Sequence, residues 1–234
     1  HFLFERLLNR YTHSGIDDFV TDYNTQTNSI VFAANEPNNR KRRKIVVKDF
    51  DRFGRIAIKS DYDRFKNVCI INDTLIAVHR ENNLDDMSAH QDAELTLWKI
   101  KGRKRYKYDT PFSMVQTIAA YKGTYLYVAT ASSLTSWNIT KNEQQQTLNS
   151  FFNKLIIQDD YLIGITNNLA TVYKIGENGS LSSFATLTGH THVINDVVIN
   201  QKRGIIATAS DDATIRFFTL NGNHIGTLVP TGQK

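Results

Sequence analysis

The sequence predicts an all-β fold built from one repeated unit of four short antiparallel strands. Three observations predict it. Short runs rich in β-branched and aromatic residues follow one another along the chain, turn-forming residues separate them, and a large aromatic side chain recurs near the end of every third strand. No segment combines a sustained helical period with capping residues.

The unit is clearest near the C-terminal end of the chain. The runs VINDVVIN, GIIATAS, TIRFFTL and HIGTLV are strand candidates, and the separators QKR, DDA and NGN are typical of turns. Strands of this length, joined by turns this short, predict one antiparallel meander.

The same pattern occurs four more times toward the N-terminus. Third strands KIVVKDFD, ELTLWKI, SLTSWNI, ATVYKI and TIRFFTL supply the aromatics Phe50, Trp98, Trp137, Tyr173 and Phe218, at intervals of 48, 39, 36 and 45 residues. Second strands SIVFAAN, TLIAVHR, TYLYVATAS and YLIGITN align in the same way, and so do first strands IDDFVTDY, FKNVCII, VQTIAAY and KLIIQDD. We therefore predict five copies. The opening run FLFERLLNR fits either a helix or a fourth strand preceding the first copy.

The last copy resembles the WD-repeat (WD40) β-propeller family, whose repeats place Gly-His before the first strand and an aromatic residue at the end of the third. Gly189-His190, Ser210, Asp212 and Phe218 stand at the family's positions. The resemblance implies a β-propeller of four-stranded antiparallel blades, with about five blades here belonging to a seven-bladed ring. Residues 1–234 would then form part of one propeller domain, with blades missing from this stretch.

The resemblance also implies a chain of hydrogen bonds from a tryptophan indole to a Ser or Thr hydroxyl, then to the histidine, then to the aspartate. Ser210, His190 and Asp212 would supply the last three groups. Phe218 has no N–H group, so we expect the outer bond to be missing. Trp98, Trp137 and Tyr173 are expected to hold the weaker copies together by packing.

Charged connections are the candidate partner contacts. RKRRK, residues 40–44, joins the second and third strands of the first copy, and ENNLDDMSAHQDAE, residues 81–94, makes the same connection in the second. Equivalent loops of a propeller emerge on one face of neighbouring blades, and loops commonly carry function. The opposite charges fit partner binding, and they equally fit loops that neutralise each other or stay solvated. The candidate contacts are Arg40, Lys41, Arg42, Arg43, Lys44, Asp85, Asp86, Asp92 and Glu94.

A second basic run, KGRKRYK at residues 101–107, follows the third strand of the second copy. In propeller geometry this connection emerges on the opposite face, so the two basic runs do not merge into one phosphate-binding track. Tyr106 and Tyr108 alternate with basic residues and could stack on bases. The alternation also suits an exposed outer strand, which is the interpretation that we favour.

The sequence contains no constellation that predicts an enzyme. Asp211 and Asp212 lie in a turn, where Asp side chains bond the backbone, and His190 and His192 lack the converging ligands of a metal site. Phosphate-binding loops and nucleophile elbows are missing. We therefore predict no catalytic residue, no metal, no cofactor and no small-molecule substrate. A single cysteine, Cys69, favours a reducing compartment, and no apolar run reaches the roughly 18 residues of a membrane span.

These observations predict a non-catalytic WD-repeat scaffold that mediates protein–protein interactions within a multisubunit assembly. Two alternatives stay open: a substrate-recognition subunit of a ubiquitin ligase of the F-box/WD type, and a component of a nuclear RNA or chromatin assembly whose basic loops contact nucleic acid. The net charge of +5 permits nucleic acid as a partner but does not select it. We expect an intracellular location, in the nucleus or the cytoplasm, with the nucleus favoured.

Overall fold

Strands make up almost all of the regular structure, as the repeat predicts. The computed structural model describes residues 18–24, 29–35, 44–49, 55–59, 64–81, 95–101 and 104–229. These residues form 20 strands in five four-stranded antiparallel sheets, together with a 3₁₀ turn at Gln201–Arg203. The chain divides into two compact units, residues 1–115 and 116–234, and each unit is described by itself.

The first unit contains two sheets. The first sheet comprises β1 (Asp18–Asn24), β2 (Ser29–Asn35), β3 (Lys44–Asp49) and β4 (Arg55–Lys59). The second comprises β5 (Arg64–Asn72), β6 (Leu75–Glu81), β7 (Leu95–Lys101) and β8 (Lys104–Asp109). Val31 of β2 is fully buried against an apolar cluster of the second sheet, to which the half-buried Trp98 also packs. Apolar burial therefore joins the two sheets.

The second unit contains three sheets, the first of which starts one residue before the unit boundary. They comprise β9 (Val115–Tyr121), β10 (Tyr125–Thr130), β11 (Leu134–Asn138) and β12 (Glu143–Leu148); β13 (Lys154–Gln158), β14 (Tyr161–Thr166), β15 (Leu169–Ile175) and β16 (Leu181–Leu187); and β17 (Ile194–Asn200), β18 (Ile205–Ser210), β19 (Ile215–Thr219) and β20 (His224–Leu228). Strands that are consecutive in sequence are neighbours in every sheet.

The recurrent aromatic residues occupy one register position. Trp98, Trp137, Tyr173 and Phe218 pair with Ile76, Leu126, Leu162 and Ile206 of the second strands, respectively. The fifth predicted aromatic, Phe50, lies outside the described residues. In the second unit a β-bulge lies beside each aromatic, between the third and fourth strands, whereas β7 and β8 pair without a register shift. A bulge increases the local twist of its strand. The spacing read from the sequence thus corresponds to a true structural repeat.

Two apolar layers hold the sheets of the second unit together. In the first layer Tyr127 and Leu134 of one sheet pack with Leu162 and Tyr173 of the next. In the second layer Phe218 packs with residues of the fourth sheet. Each aromatic thus fills the space against the preceding sheet, and burial of each ring contributes roughly 2–3 kcal/mol.

Two glutamine side chains join neighbouring sheets through hydrogen bonds to the backbone of the next sheet. The Gln158 amide donates to the Ile199 carbonyl at 2.8 Å and accepts from the Ile199 N–H at 2.7 Å. Gln146 makes the same pair of bonds to Leu181, at 3.1 and 2.6 Å. The Tyr127 hydroxyl donates to the Gly179 carbonyl at 3.0 Å, and burial raises the pKa of this phenol. These bonds fix the register of one sheet against the next.

The last sheet has an apolar face that resembles the covered face of the sheet before it. Ala170 pairs with Leu187 in the fourth sheet, and at the equivalent position Ile215 pairs with Leu228 in the last. Leu187 is 1% exposed whereas Leu228 is 52% exposed. Phe217 is half-buried, although its counterpart Val172 is fully buried. An apolar face of this kind marks a packing surface for another element.

Candidate interaction surfaces

The loop before β17 needs a glycine next to its histidine. Gly189 has a φ of 112°, in the region that other residues rarely adopt, and a side chain there would overlap the Arg216 guanidinium. The backbone therefore passes close to Arg216 and directs His190 into the sheet, where its ring is 3% exposed. Local geometry explains why Gly and His occur together.

His190 joins two parts of the last sheet. Its Nδ1–H donates to the Asp212 carboxylate at 2.8 Å, and the Thr208 hydroxyl donates to its Nε2 at 2.7 Å. In the neutral imidazole, an ionised carboxylate beside Nδ1 requires the proton to lie on that nitrogen, which leaves Nε2 as the acceptor for Thr208. The imidazole thereby connects the loop before β17 to strand β18 and to the turn that follows it.

The Asp212 carboxylate accepts several hydrogen bonds in addition to the one from His190. Thr214 donates to it from both its hydroxyl, at 2.6 Å, and its backbone, at 3.0 Å, and the Thr191 N–H donates at 3.1 Å. The Thr214 hydroxyl, followed by His190, holds the pKa of the Asp212 carboxyl well below its usual range. The carboxylate is therefore the stable form in the folded protein.

Asp212→Asn should lower stability at neutral pH, and the difference from the wild type should shrink in acid. The pKa of the Asp212 carboxyl is lower in the folded chain than in the unfolded chain, where it is about 3.9. The ionised carboxylate therefore makes its full contribution to stability at pH values above about 3.9. Below about pH 4 the unfolded chain binds a proton that the folded chain does not, and the advantage declines. Urea titrations at several pH values measure the difference. A difference that stayed constant down to pH 3 would contradict this account.

The structure corrects one residue of the predicted network. Ser210 does not contact the imidazole: its hydroxyl donates to the His192 carbonyl at 3.0 Å and accepts from the Asp212 N–H at 3.2 Å. Thr208 supplies the hydroxyl instead. Residues two apart lie on the same face of a strand, so both fit the pattern. Thr208 lies deeper along β18, beneath the imidazole, whereas Ser210 ends the strand beside the loop.

The second, third and fourth sheets lack this hydroxyl. Residues at the position of Thr208 are Val78, Val128 and Gly164, as their pairing with the third strands shows. In the second sheet the Trp98 indole therefore donates within its own strand, to the Thr96 hydroxyl at 3.1 Å. Packing has to replace the polar network in these sheets.

The fourth sheet shows how packing does so. A side chain at Gly164 would overlap the ring of Phe152, which occupies the space beside the strand. The Phe152 ring meets Tyr173 edge-on, with centroids 6.1 Å apart, and both rings are buried. Two aromatic rings thus fill the region where the last sheet has its hydrogen-bond network.

The predicted charged contacts fall almost entirely outside the described residues. This applies to Arg40–Arg43, to Asp85, Asp86 and Asp92, and to Glu94. Lys44 begins β3, where its backbone pairs with Ala34 and Lys59. The strand bounds place residues 36–43 between β2 and β3 and residues 82–94 between β6 and β7, which are the connections that the repeat predicts.

An exposed apolar group, not singled out in the sequence, surrounds the turn between β14 and β15. The Asn167 carbonyl in this turn accepts from the Ile194 N–H at 2.8 Å, and the Asn168 side chain donates to the His190 carbonyl at 2.8 Å. On the other side the Thr166 hydroxyl donates to the Phe151 carbonyl at 2.5 Å. Three connections of two neighbouring sheets therefore meet at this turn.

Phe151 and Val193 lie in two of these connections, and Leu169 is the first residue of β15, beside the turn. We refer to the three together as the end patch. They are 37%, 37% and 45% exposed. Each is a large apolar residue in or beside a turn, where polar residues are usual, and this is the signal that could have identified them. The backbone bonds hold the patch in a fixed position.

The described ranges contain neither a candidate metal site nor a helical membrane span. No three His, Cys, Asp or Glu side chains within them come together in a way that could hold a metal ion. None of their helices is long and apolar enough to cross a membrane.

Comparison with solved structures identifies the fold. The β-propeller domain of Cps50 (Swd1) from Myceliophteria thermophila matches with a TM-score of 0.69 at 10% identity, covering 92% of this chain and 73% of that one. Hsv2 from Kluyveromyces lactis matches at 0.58 and 13%, covering 90% and 63%. A form of Hsv2 with loop 6CD replaced by a Gly-Ser linker matches at 0.58 and 13%, covering 89% and 64%. No protein-family model and no curated protein matches the sequence. The predicted β-propeller fold of four-stranded blades is confirmed.

Proposed function

We propose that this chain is a non-catalytic scaffold of the WD-repeat type, which displays fixed surfaces to partner proteins inside the cell. The observation that carries the proposal is the end patch. Exposed large apolar side chains grouped on one surface are typical of protein interaction sites. Here they belong to connections whose backbone is already bonded to neighbouring strands, so little ordering is needed on binding.

The fold supports this function by making the display rigid. Apolar layers and glutamine-to-backbone bonds join the three sheets of the second unit, and the His190 network joins the loop before β17 to the turn after β18. A loop held in this way keeps its position when a partner is absent. We propose that partners are selected by shape and apolar contact rather than by chemistry on a substrate.

Replacing Phe151 and Val193 by glutamate should remove partner binding while leaving the fold intact, because both side chains are exposed. Immobilised wild-type and variant chains would be incubated with the same cell extract, and the captured proteins would be quantified by mass spectrometry. For a specific set of proteins, we expect the amount captured by the variant to be about tenfold or more below the amount captured by the wild type. A change of this size is typical of the loss of an interface hot spot.

The matched control is Gln144→Glu with Gln145→Glu, which adds the same charge to two exposed residues of β12. This variant should recover the wild-type set. Equal recovery of every protein by all three chains would contradict a role of the end patch, and equal loss by both variants would show an effect of charge alone.

We also propose that the charged connections at 36–43 and 82–94 take part in partner selection. They link second to third strands, as the turn of the end patch does in the fourth sheet. In this proposal they add electrostatic steering to an apolar contact. The ubiquitin-ligase and nucleic-acid alternatives remain separate hypotheses, and the identity of the captured proteins would discriminate between them.

We further propose that the five sheets belong to a seven-bladed ring. Two observations support this: Leu228 and its neighbours leave an apolar sheet face exposed, and the chain spans 73% of the Cps50 propeller domain. Another blade packed on this face would bury it as the fourth sheet's face is buried. Electron microscopy images showing a closed ring of five blades would contradict the proposal.

A further inference from the structure

One hairpin of the first unit is strongly basic. Strands β7 and β8 contain five basic residues and one acidic residue, a net charge of +4, whereas the whole chain has +5. The residues outside these strands carry a net charge of +1, and they include a second basic run at 40–44. The basic residues are Lys99, Lys101, Lys104, Arg105 and Lys107. A local field of this strength attracts anionic partners, and it does so most at low salt.

One face of the hairpin combines these charges with exposed rings. Alternation places Lys104, Tyr106 and Tyr108 on the same face of β8. Lys104 is exposed, and the two tyrosines are 43% and 50% exposed. On β7 the directly paired residues are Lys101, Lys99 and the buried Leu97. Lys99 and Lys104 therefore lie beside Tyr106 on one face of the hairpin, and Tyr108 lies next to the buried Leu97.

The opposite face of β8 is already engaged. Lys107 pairs with Trp98 across the hairpin, and its ammonium lies 3.5 Å from the Asp109 carboxylate. We therefore expect a partner to bind the face that carries the two tyrosines, where Lys99 and Lys104 are exposed. Its composition also differs from that of β20, an outer strand whose exposed residues include Ile225 and Leu228.

Strand β8 is the last strand of its sheet, in the order β5-β6-β7-β8. The outward N–H and C=O groups of an edge strand can pair with an added extended strand. Lysines on such an edge repel a second copy of the same basic strand, but they attract an acidic one. Single-stranded nucleic acid would use the rings and charges but would leave this row of backbone groups without strand pairing.

We propose that the β7–β8 hairpin binds an extended acidic polypeptide segment of a partner, which pairs with β8 as an added strand. Acidic side chains at alternate positions of the segment lie on the face of Lys104, Tyr106 and Tyr108, so that their methylene groups pack on the two rings and their carboxylates approach Lys99 and Lys104. This surface is distinct from the end patch, so the two can fail or succeed independently.

The test uses the whole chain and a fluorescein-labelled twelve-residue peptide of alternating glutamate and threonine. Fluorescence anisotropy at low salt should show binding that weakens as salt increases. Lys99→Glu with Lys104→Glu should weaken binding by about tenfold or more. Tyr106→Ser with Tyr108→Ser should also weaken it, although this variant leaves the charge unchanged. Circular dichroism would verify that both variants fold.

The charge-matched control is Lys141→Glu with Lys202→Glu, two exposed lysines of the second unit, and it should bind within about twofold of the wild type. A peptide with alternate N-methylated residues has the same charge but cannot complete the strand pairing, and it should bind more weakly. The proposal is overturned if the acidic peptide does not bind, if the control variant loses as much affinity, if N-methylation has no effect, or if a twelve-nucleotide single-stranded DNA binds more tightly than the peptide.

Discussion

Replacing Phe218 by alanine should lower the free energy of unfolding by about 3–5 kcal/mol. Phe218 is 1% exposed and fills the layer between the fourth and fifth sheets, where it packs with Ile163, Val172 and Val197. Its ring also meets the His224 imidazole edge-on at 5.6 Å. Truncation would remove the favourable transfer free energy of the ring and leave a cavity between the two sheets. Because hydrogen bonds and apolar contacts hold these sheets together, the cavity cannot easily collapse.

Urea denaturation followed by circular dichroism would measure this change. Phe217→Ala is the matched control, because it removes the same ring from the adjacent residue, on the opposite and half-buried face of the same strand. We expect its cost to be clearly smaller in the isolated chain. Equal costs for the two variants would show that the ring of Phe218 does not hold the two sheets together.

Gly164→Val is expected to destabilise the protein by about 1–3 kcal/mol, and by more if the strand cannot shift. Gly164 has no need of an unusual backbone conformation; its constraint is space, because the Phe152 ring occupies the position of a side chain. A valine there would force this ring away from Tyr173. Thermal unfolding of the variant would show a lower Tm than that of the wild type.

The control is Gly226→Val, in β20, where an added side chain would meet nothing within 4 Å. We expect this change to lie within about 0.5 kcal/mol of the wild type. Shrinking the neighbour should relieve the strain, so Gly164→Val combined with Phe152→Leu should cost less than the sum of the two single changes. Additive costs would contradict the proposed overlap between residues 164 and 152.

The fourth and last sheets meet the same structural requirement in two different ways. Each sheet of the second unit must fix its first strand and the preceding loop against its second strand. The last sheet uses His190, Thr208 and Asp212, and the fourth uses Phe152 over Gly164. A buried polar network stabilises only when all its members are satisfied, whereas aromatic packing requires space that only glycine leaves. This explains why the repeat diverges in sequence while its strand register is kept.

The sequence by itself determined the five-fold repetition of strands and the register of its aromatic residues, because alternation and turn residues are local properties of the chain. It also indicated that His190 and Asp212 belong to one loop-and-turn pair. It could not choose between Ser210 and Thr208, since both lie on one face of β18 and only the depth of the imidazole separates them.

The tertiary structure alone decided which exposed residues share a surface. Phe151 and Val193 lie in separate connections and Leu169 begins β15, and hydrogen bonds between distant segments bring them to one turn. Leu228 is 52% exposed, although its counterpart Leu187 is buried within the same strand pattern. Local sequence specifies which face of a strand is apolar, but contacts between sheets specify which of those faces stay open to a partner.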